Sequence, residues 1–179
     1  MTSPGDNNEA DAGSGGAGAP PDTNEPNRVY SDLTREYSSP GIRVQWFASR
    51  CIHSGACIMA LPKVFDPRRR PWVDLDAVDA DAIANAVLKC PTGALHYEKP
   101  DGEPEPAPDH VTVVAVRNGP YLVTGPIEVT DQQRHVLRKD TRMALCRCGK
   151  SKHMPFCDNT HRATGFRTDQ NDAITESTS

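Results

Sequence analysis

In the segment IRVQWFAS, Ile42, Val44 and Trp46 alternate with Arg43 and Gln45. That period of two predicts a strand with one buried face. The strand runs almost directly into Cys51. In ADAIANAVLK the period changes: Ile83 and Val87 recur at helical spacing, Asp79 stands where an N-cap belongs, and Pro91 halts the segment just after Cys90. Later, VTVVAV and YLVTG flank Asn118-Gly119-Pro120 and predict two short strands around a turn, with MALCRC, Met143 to Cys148, as a third.

The stretches without periodicity divide the chain. Residues 1–28 are Gly, Ala, Pro, Asn and Asp with little to bury, and are expected to be a disordered tail. Residues 168–179, also polar, are expected to fray. Residues 99–110, KPDGEPEPAPDH, break helix and strand patterns alike and read as a stiff Pro/Glu-rich linker. Two small modules remain, 29–98 and 111–167, which makes the fold class α+β, the second module being rich in strand.

Composition limits the size of each core. The chain is 36% hydrophobic, with two Trp, four Tyr and four Phe against 16 Pro and 13 Gly, so compact parts are small and call for cross-links or metals. Six cysteines stand three on each side of the linker: Cys51, Cys57 and Cys90, then Cys146, Cys148 and Cys157. The first 27 residues hold no Lys or Arg and no apolar run, and no stretch approaches a membrane span, so the expectation is a soluble, cytoplasmic protein. In that reducing compartment clustered cysteines are metal ligands or redox groups more often than disulfides. The net charge of -4 argues against a nucleic-acid partner. The one dense basic run, Arg68 to Arg70 between prolines, reads as a solvated loop.

The C-terminal cysteines lie in CRCGKSKHMPFCDNTH, Cys146 to His161. Cys146 and Cys148 are two apart, so on extended backbone their side chains leave one face and converge on one iron. Cys157 and His161 are one helical turn apart and, on a helix beginning near Asp158, would serve a second iron, with the helix N-terminus offsetting negative charge. A zinc site of three Cys and one His would use the same donors. The segment resembles the CDGSH iron-sulfur family, the relatives of mitoNEET, through Cys146, Cys148, Ser151, Pro155, Cys157, Asp158 and His161. That resemblance implies a 2Fe-2S cluster held by Cys146, Cys148, Cys157 and His161, with Ser151, Pro155 and Asp158 in support. Asn159 replaces the usual Gly, and Asn is the residue that next most readily takes a positive φ.

The N-terminal cysteines lie in CIHSGAC and CPTGAL. Bacterial ferredoxins use Cys-x2-Cys-x2-Cys with a distant Cys-Pro, and on that frame Cys51, Cys57 and Cys90 fall at the first, third and fourth positions while Ser54 takes the second. With His53, Gly55, Phe65, Trp72, Gly93, Ala94 and Leu95, the segment resembles divergent single-cluster, ferredoxin-like 4Fe-4S domains. Three thiolates suit a 3Fe-4S cluster, or a 4Fe-4S cluster whose fourth iron takes another ligand, for which His53 and Ser54 are the protein candidates. Phe65 and Trp72 are expected to shield the cluster from within the core.

No nucleophile-base pair or phosphate-binding loop is evident, and His96, His110, His135 and His153 are scattered and expected in solvent, so the chain is not expected to be an enzyme. The leading expectation is an electron carrier serving redox partner proteins. The alternatives are an iron-sulfur sensor or cluster donor, since a histidine ligand competes with protons for its metal, and a zinc-stabilised interaction module. Resemblance to the CDGSH family implies a homodimer as a candidate assembly.

Overall fold

The predicted strand at Ile42 forms as β2 (Ile42–Trp46), and its alternation is the reason: Ile42 and Val44 are fully buried while Arg43 faces out. It is the centre of an antiparallel sheet in the order β1-β2-β3, with β1 (Arg35–Ser39) returning through Pro40-Gly41 and β3 (Leu95–Glu98) on the other side. The computed structural model describes residues 33–168, so the tails expected at 1–28 and 168–179 fall outside the described residues except for Thr168, whose N–H donates to Asn118 Oδ1 at 2.9 Å. Neither β1 nor β3 announces itself in the sequence, because each is short: Tyr37 is the single buried position of β1, and β3 has only four residues.

Between β2 and β3 the chain makes α1 (Ala56–Ala60) and α2 (Ala80–Val87). Asp79 caps α2 as its sequence position predicts, its Oδ1 accepting the Ala82 N–H at 2.9 Å. Ile83 and Val87 turn inward onto Val44, Val64, Phe65 and Leu95, and Cys90 joins the same core. Phe65 and Trp72 lie in or against this core as expected, with Trp72 meeting Trp46 edge-on at 5.1 Å between ring centroids.

A second antiparallel sheet has the order β4-β5-β6, from β4 (Thr112–Ala115), β5 (Tyr121–Thr130) and β6 (Val136–Leu145). The β4–β5 turn falls at Asn118-Gly119, as predicted. The third strand differs from expectation. It begins at Val136 rather than Met143 and ends at Leu145, one residue before the cysteines. Its first half is charged, with Arg138, Lys139, Asp140 and Arg142, and so gives no hydrophobic signal, yet it pairs with β5 throughout.

Those charges have a destination. A period of two sets Arg138, Asp140, Arg142 and Ala144 on one face of β6, and that face packs on the N-terminal half. Arg142 is buried and donates to the carbonyls of Val87 at 2.7 Å, Cys90 at 3.3 Å and Leu95 at 2.9 Å. Asp140 accepts from Arg50 at 3.1 Å and faces His96 at 3.3 Å, and Arg138 donates to the Thr92 carbonyl at 3.3 Å. Glu105, from the segment read as a linker, completes the group: it meets Arg142 at 3.1 Å and the His96 Nδ1 at 2.6 Å. His96 is therefore not the solvated histidine expected from its isolation in sequence. His110 and His135 are exposed, as expected.

Candidate metal centres

The C-terminal site is assembled by a loop folding back on the strand that precedes it. Beyond β6, Cys146 N–H donates to the Pro155 carbonyl and Cys157 N–H to that of Ala144, each at 2.8 Å, and Leu145 bridges to Phe156. This closure brings the early and late cysteines together. The Cys146 and Cys148 sulfurs are 3.8 Å apart, and the Cys157 sulfur lies 3.4 Å from His161 Nδ1. The convergence predicted for Cys146 and Cys148 is present, although a bend beyond the strand, with Gly149 at φ +69°, produces it.

The side chains of the supporting residues hold the loop, while backbone N–H groups reach the sulfurs. Ser151 Oγ donates to the Phe156 carbonyl at 2.7 Å and accepts the His153 N–H at 3.0 Å. The Asp158 carboxylate accepts the Lys152 N–H at 2.9 Å and the Thr160 N–H at 3.0 Å, tying the loop to α3 (Thr160–Ala163). Those donors outweigh the effect of burial and hold Asp158 ionised well below the usual carboxylate range. Pro155 supplies the carbonyl that Cys146 uses. Asn159 adopts φ +75°, the conformation its replacement of Gly demands, and its N–H donates to the Cys157 sulfur at 3.4 Å. The helix expected near Asp158 is a single turn, so individual N–H groups, rather than a helix dipole, face the sulfurs.

Electrostatics separate these ligands. Burial would raise the Cys146 pKa, but the N–H of Ser151, the Cys148 thiol and the N–H groups of Gly149 and Lys150 bring it below the ordinary value and favour thiolate. The Cys157 thiol is pushed up by burial, and by the negative charges of Cys146, Asp158 and Cys148. Burial holds the His161 pKa down, which keeps its imidazole neutral and available as a donor at neutral pH.

At the N-terminal site the three thiols come from three local structures. Cys51 ends the 3-10 turn Ala48–Arg50, Cys57 sits in α1 behind Gly55 at φ +76°, and Cys90 follows α2, its sulfur 3.6 Å from Thr92 Oγ1. Burial raises the Cys51 and Cys57 pKa values, the latter to about 11, and the negative charge of Cys90 adds to both. Cys51, Cys57 and Cys90 pack on one apolar core, where a bound cation would offset the charge of their thiolates. His53 and Ser54 lie on the exposed loop between Cys51 and Cys57, where Ser54 Oγ accepts the Ala56 N–H at 3.4 Å. The basic run is spent locally: Arg68 on Asp66, Arg69 on the Val64 carbonyl and Arg70 on the Pro67 carbonyl.

Among the described residues no group of three or more His, Cys, Asp or Glu side chains is gathered around a single metal position. The C-terminal donors stand instead as two pairs, a dithiol and a thiol-imidazole. Soft sulfur donors in this array fit iron-sulfide chemistry. An α+β scaffold bearing two such cysteine sites defines an iron-sulfur-binding protein. Comparison with known families agrees at both sites: residues 118–162 match the iron-binding zinc finger of CDGSH type, and residues 37–100 match the divergent 4Fe-4S mono-cluster family. The chain belongs to these families. It is similar to the uncharacterized protein YjdI of Escherichia coli K12, and equally to its O157:H7 counterpart, at 36% identity over 63 residues, which is 35% of this chain and 83% of each relative. No helix among the described residues is long and apolar enough to cross a membrane.

Sequence reasoning missed the residues that dock the two sites on each other: Arg50, Ile52, His96, Glu105, Arg138, Asp140 and Arg142. A charged, alternating strand ordinarily reads as a solvated face, and only the regularity of its period hinted at a shared direction.

Proposed function

We propose that the chain is an electron carrier with two iron-sulfur centres: a 2Fe-2S cluster on Cys146, Cys148, Cys157 and His161, and a 3Fe-4S or 4Fe-4S cluster on Cys51, Cys57 and Cys90 in a ferredoxin-like half. The observation that carries this reading is the pairing of the C-terminal donors, Cys146 with Cys148 at 3.8 Å and Cys157 with His161 at 3.4 Å. A rhomb of two irons needs two donors at each end, whereas tetrahedral zinc needs four around one point. Bound there, a cluster supplies reversible one-electron chemistry. The chain's part is to hold the thiolates, keep His161 neutral and present N–H groups to the sulfurs. No step of bond making is assigned to it, and its partners are redox proteins.

A second reading, sensor or cluster donor, draws on the partial exposure of Cys51, Cys57, Cys146 and Cys148, which leaves each site open on one side. Anaerobically purified protein should be brown, contain iron and acid-labile sulfide at both sites, and be reduced and reoxidised without losing iron. Colourless protein with stoichiometric zinc would overturn both readings, and iron loss on each reduction would favour the donor over the carrier.

A further inference from the structure

The N-terminal cysteines are built into the surface on which the C-terminal sheet rests. Cys51 stands between two docking residues. Arg50 donates to Asp140 at 3.1 Å and to the Gly93 carbonyl at 3.3 Å. Ile52, on the other side, is buried in one apolar cluster with Ala144 and Cys157, with Leu122 packed against it. Cys90 is held likewise: its carbonyl accepts from Arg142 at 3.3 Å, and that of Thr92 accepts from Arg138. Arg138 also lies over the Phe156 ring, 4.4 Å from its centroid, and Phe156 precedes Cys157. On the other partner, the face of β6 that makes these contacts ends at Ala144, two residues before Cys146. One layer of side chains therefore separates a ligand segment of one site from a ligand segment of the other.

We propose that the two sites form a single intramolecular redox pair, in which one electron passes between the centres across the Ile52–Ala144–Cys157 contact and Ile52 is the positioning residue that sets their separation. This rests on the reading of both sites as iron-sulfur centres. In the step one centre loses an electron and the other gains it. No bond forms or breaks, and the electron enters from a one-electron reductant and leaves to a one-electron acceptor. The charges at the interface favour this arrangement: Arg50, Arg138 and Arg142 outnumber the carboxylates of Asp140 and Glu105 that they face, and the remaining positive charge lies between two sites that each become more negative on reduction, which lowers the repulsion between them. The interface is also well secured. Gly93 has φ +65°, and a Cβ there would stand 2.7 Å from the Arg142 carbonyl, so the approach of the two halves is as close as backbone allows.

The test uses the full chain, reduced stepwise with dithionite and followed by electron paramagnetic resonance, with iron and sulfide measured on the same sample. The signal of the centre that reduces first should broaden or split, and relax faster, once the second centre is reduced. Ile52→Asp, which forces a charge into the apolar contact, should lose that interaction while retaining iron at both sites. Two fully loaded centres whose signals simply add in the unaltered chain would overturn the proposal and leave the two-centre reading standing. Iron at only one site would overturn both. The measurement on the unaltered chain decides by itself, whether or not the Ile52 variant holds iron.

Discussion

Gly93 shows how much can depend on a missing side chain. Its left-handed backbone and the proximity of the buried Asp140 carboxylate and the Arg142 carbonyl leave no room for a methyl group. Gly93→Ala should therefore cost about 2–4 kcal/mol, from unfavourable φ together with overpacking, seen as a lower urea midpoint at unchanged slope. Gly55, also at positive φ but with nothing within 4 Å of its would-be Cβ, should lose only about 1–2 kcal/mol on the same substitution. Asp158 works by acceptance rather than absence. Its carboxylate holds two N–H groups across the C-terminal loop, so Asp158→Ala should weaken the loop by about 1 kcal/mol and speed iron loss to a chelator while far-ultraviolet circular dichroism stays unchanged.

The element that decides the C-terminal site is the hairpin of β6 with the returning loop, which delivers Cys146 and Cys148 from one direction and Cys157 with His161 from the other. Nδ1 of His161 faces the Cys157 sulfur, so under the proposed ligation the other ring nitrogen would be left to exchange a proton. Reduction adds negative charge and should raise the pKa of that imidazole, so the potential should fall with rising pH, by about 59 mV per unit between the oxidised and reduced pKa values. His161→Cys replaces a neutral donor by a thiolate. Its potential should drop from a value between the Rieske range, roughly -150 mV and above, and the all-cysteine ferredoxins near about -400 mV. Its pH dependence should flatten, and acid-induced loss of iron should slow. Redox titration of both proteins from about pH 6 to 9 checks this, and equal potentials with equal slopes would remove His161 from the ligand set.

Taken whole, the molecule is joined by buried charge. His96 is the part of that junction whose ordinary pKa lies near neutrality: burial alone would lower it, but the carboxylates of Asp140 and Glu105 outweigh burial and raise the value to about 9. Arg138 also faces the Asp140 carboxylate, and Arg142 that of Glu105. A folded-state pKa above the ordinary 6.5 means that the charged imidazole stabilises the fold fully below about pH 6.5, and that this contribution is lost as pH rises through about 9. The contribution is on the order of 3 kcal/mol at its greatest. Urea unfolding at about pH 6, 7.5 and 9.5 should show stability declining across that window, and His96→Gln should flatten the decline. A decline of equal size in the variant would assign it to other groups.

The sequence by itself determined the spacing of the cysteines and most of the local structure. Ligand spacing, the cap at Asp79, the alternation of β2 and the turn at Asn118-Gly119 all depend on residues within a few positions of one another, where backbone geometry leaves few choices. Asn159 belongs with them, since its φ follows from its place in a turn that usually holds Gly. The tertiary structure alone decided that His96 and Glu105 are half-buried against each other, that the charges on β6 face inward and that Ile52 lies beside Cys157. The physical reason is that a charge or a lone isoleucine has no periodic signature. Whether it meets solvent or a partner depends on residues far along the chain, 37 positions away in the Arg142–Glu105 contact and 105 in the Ile52–Cys157 contact, and only folding brings those together.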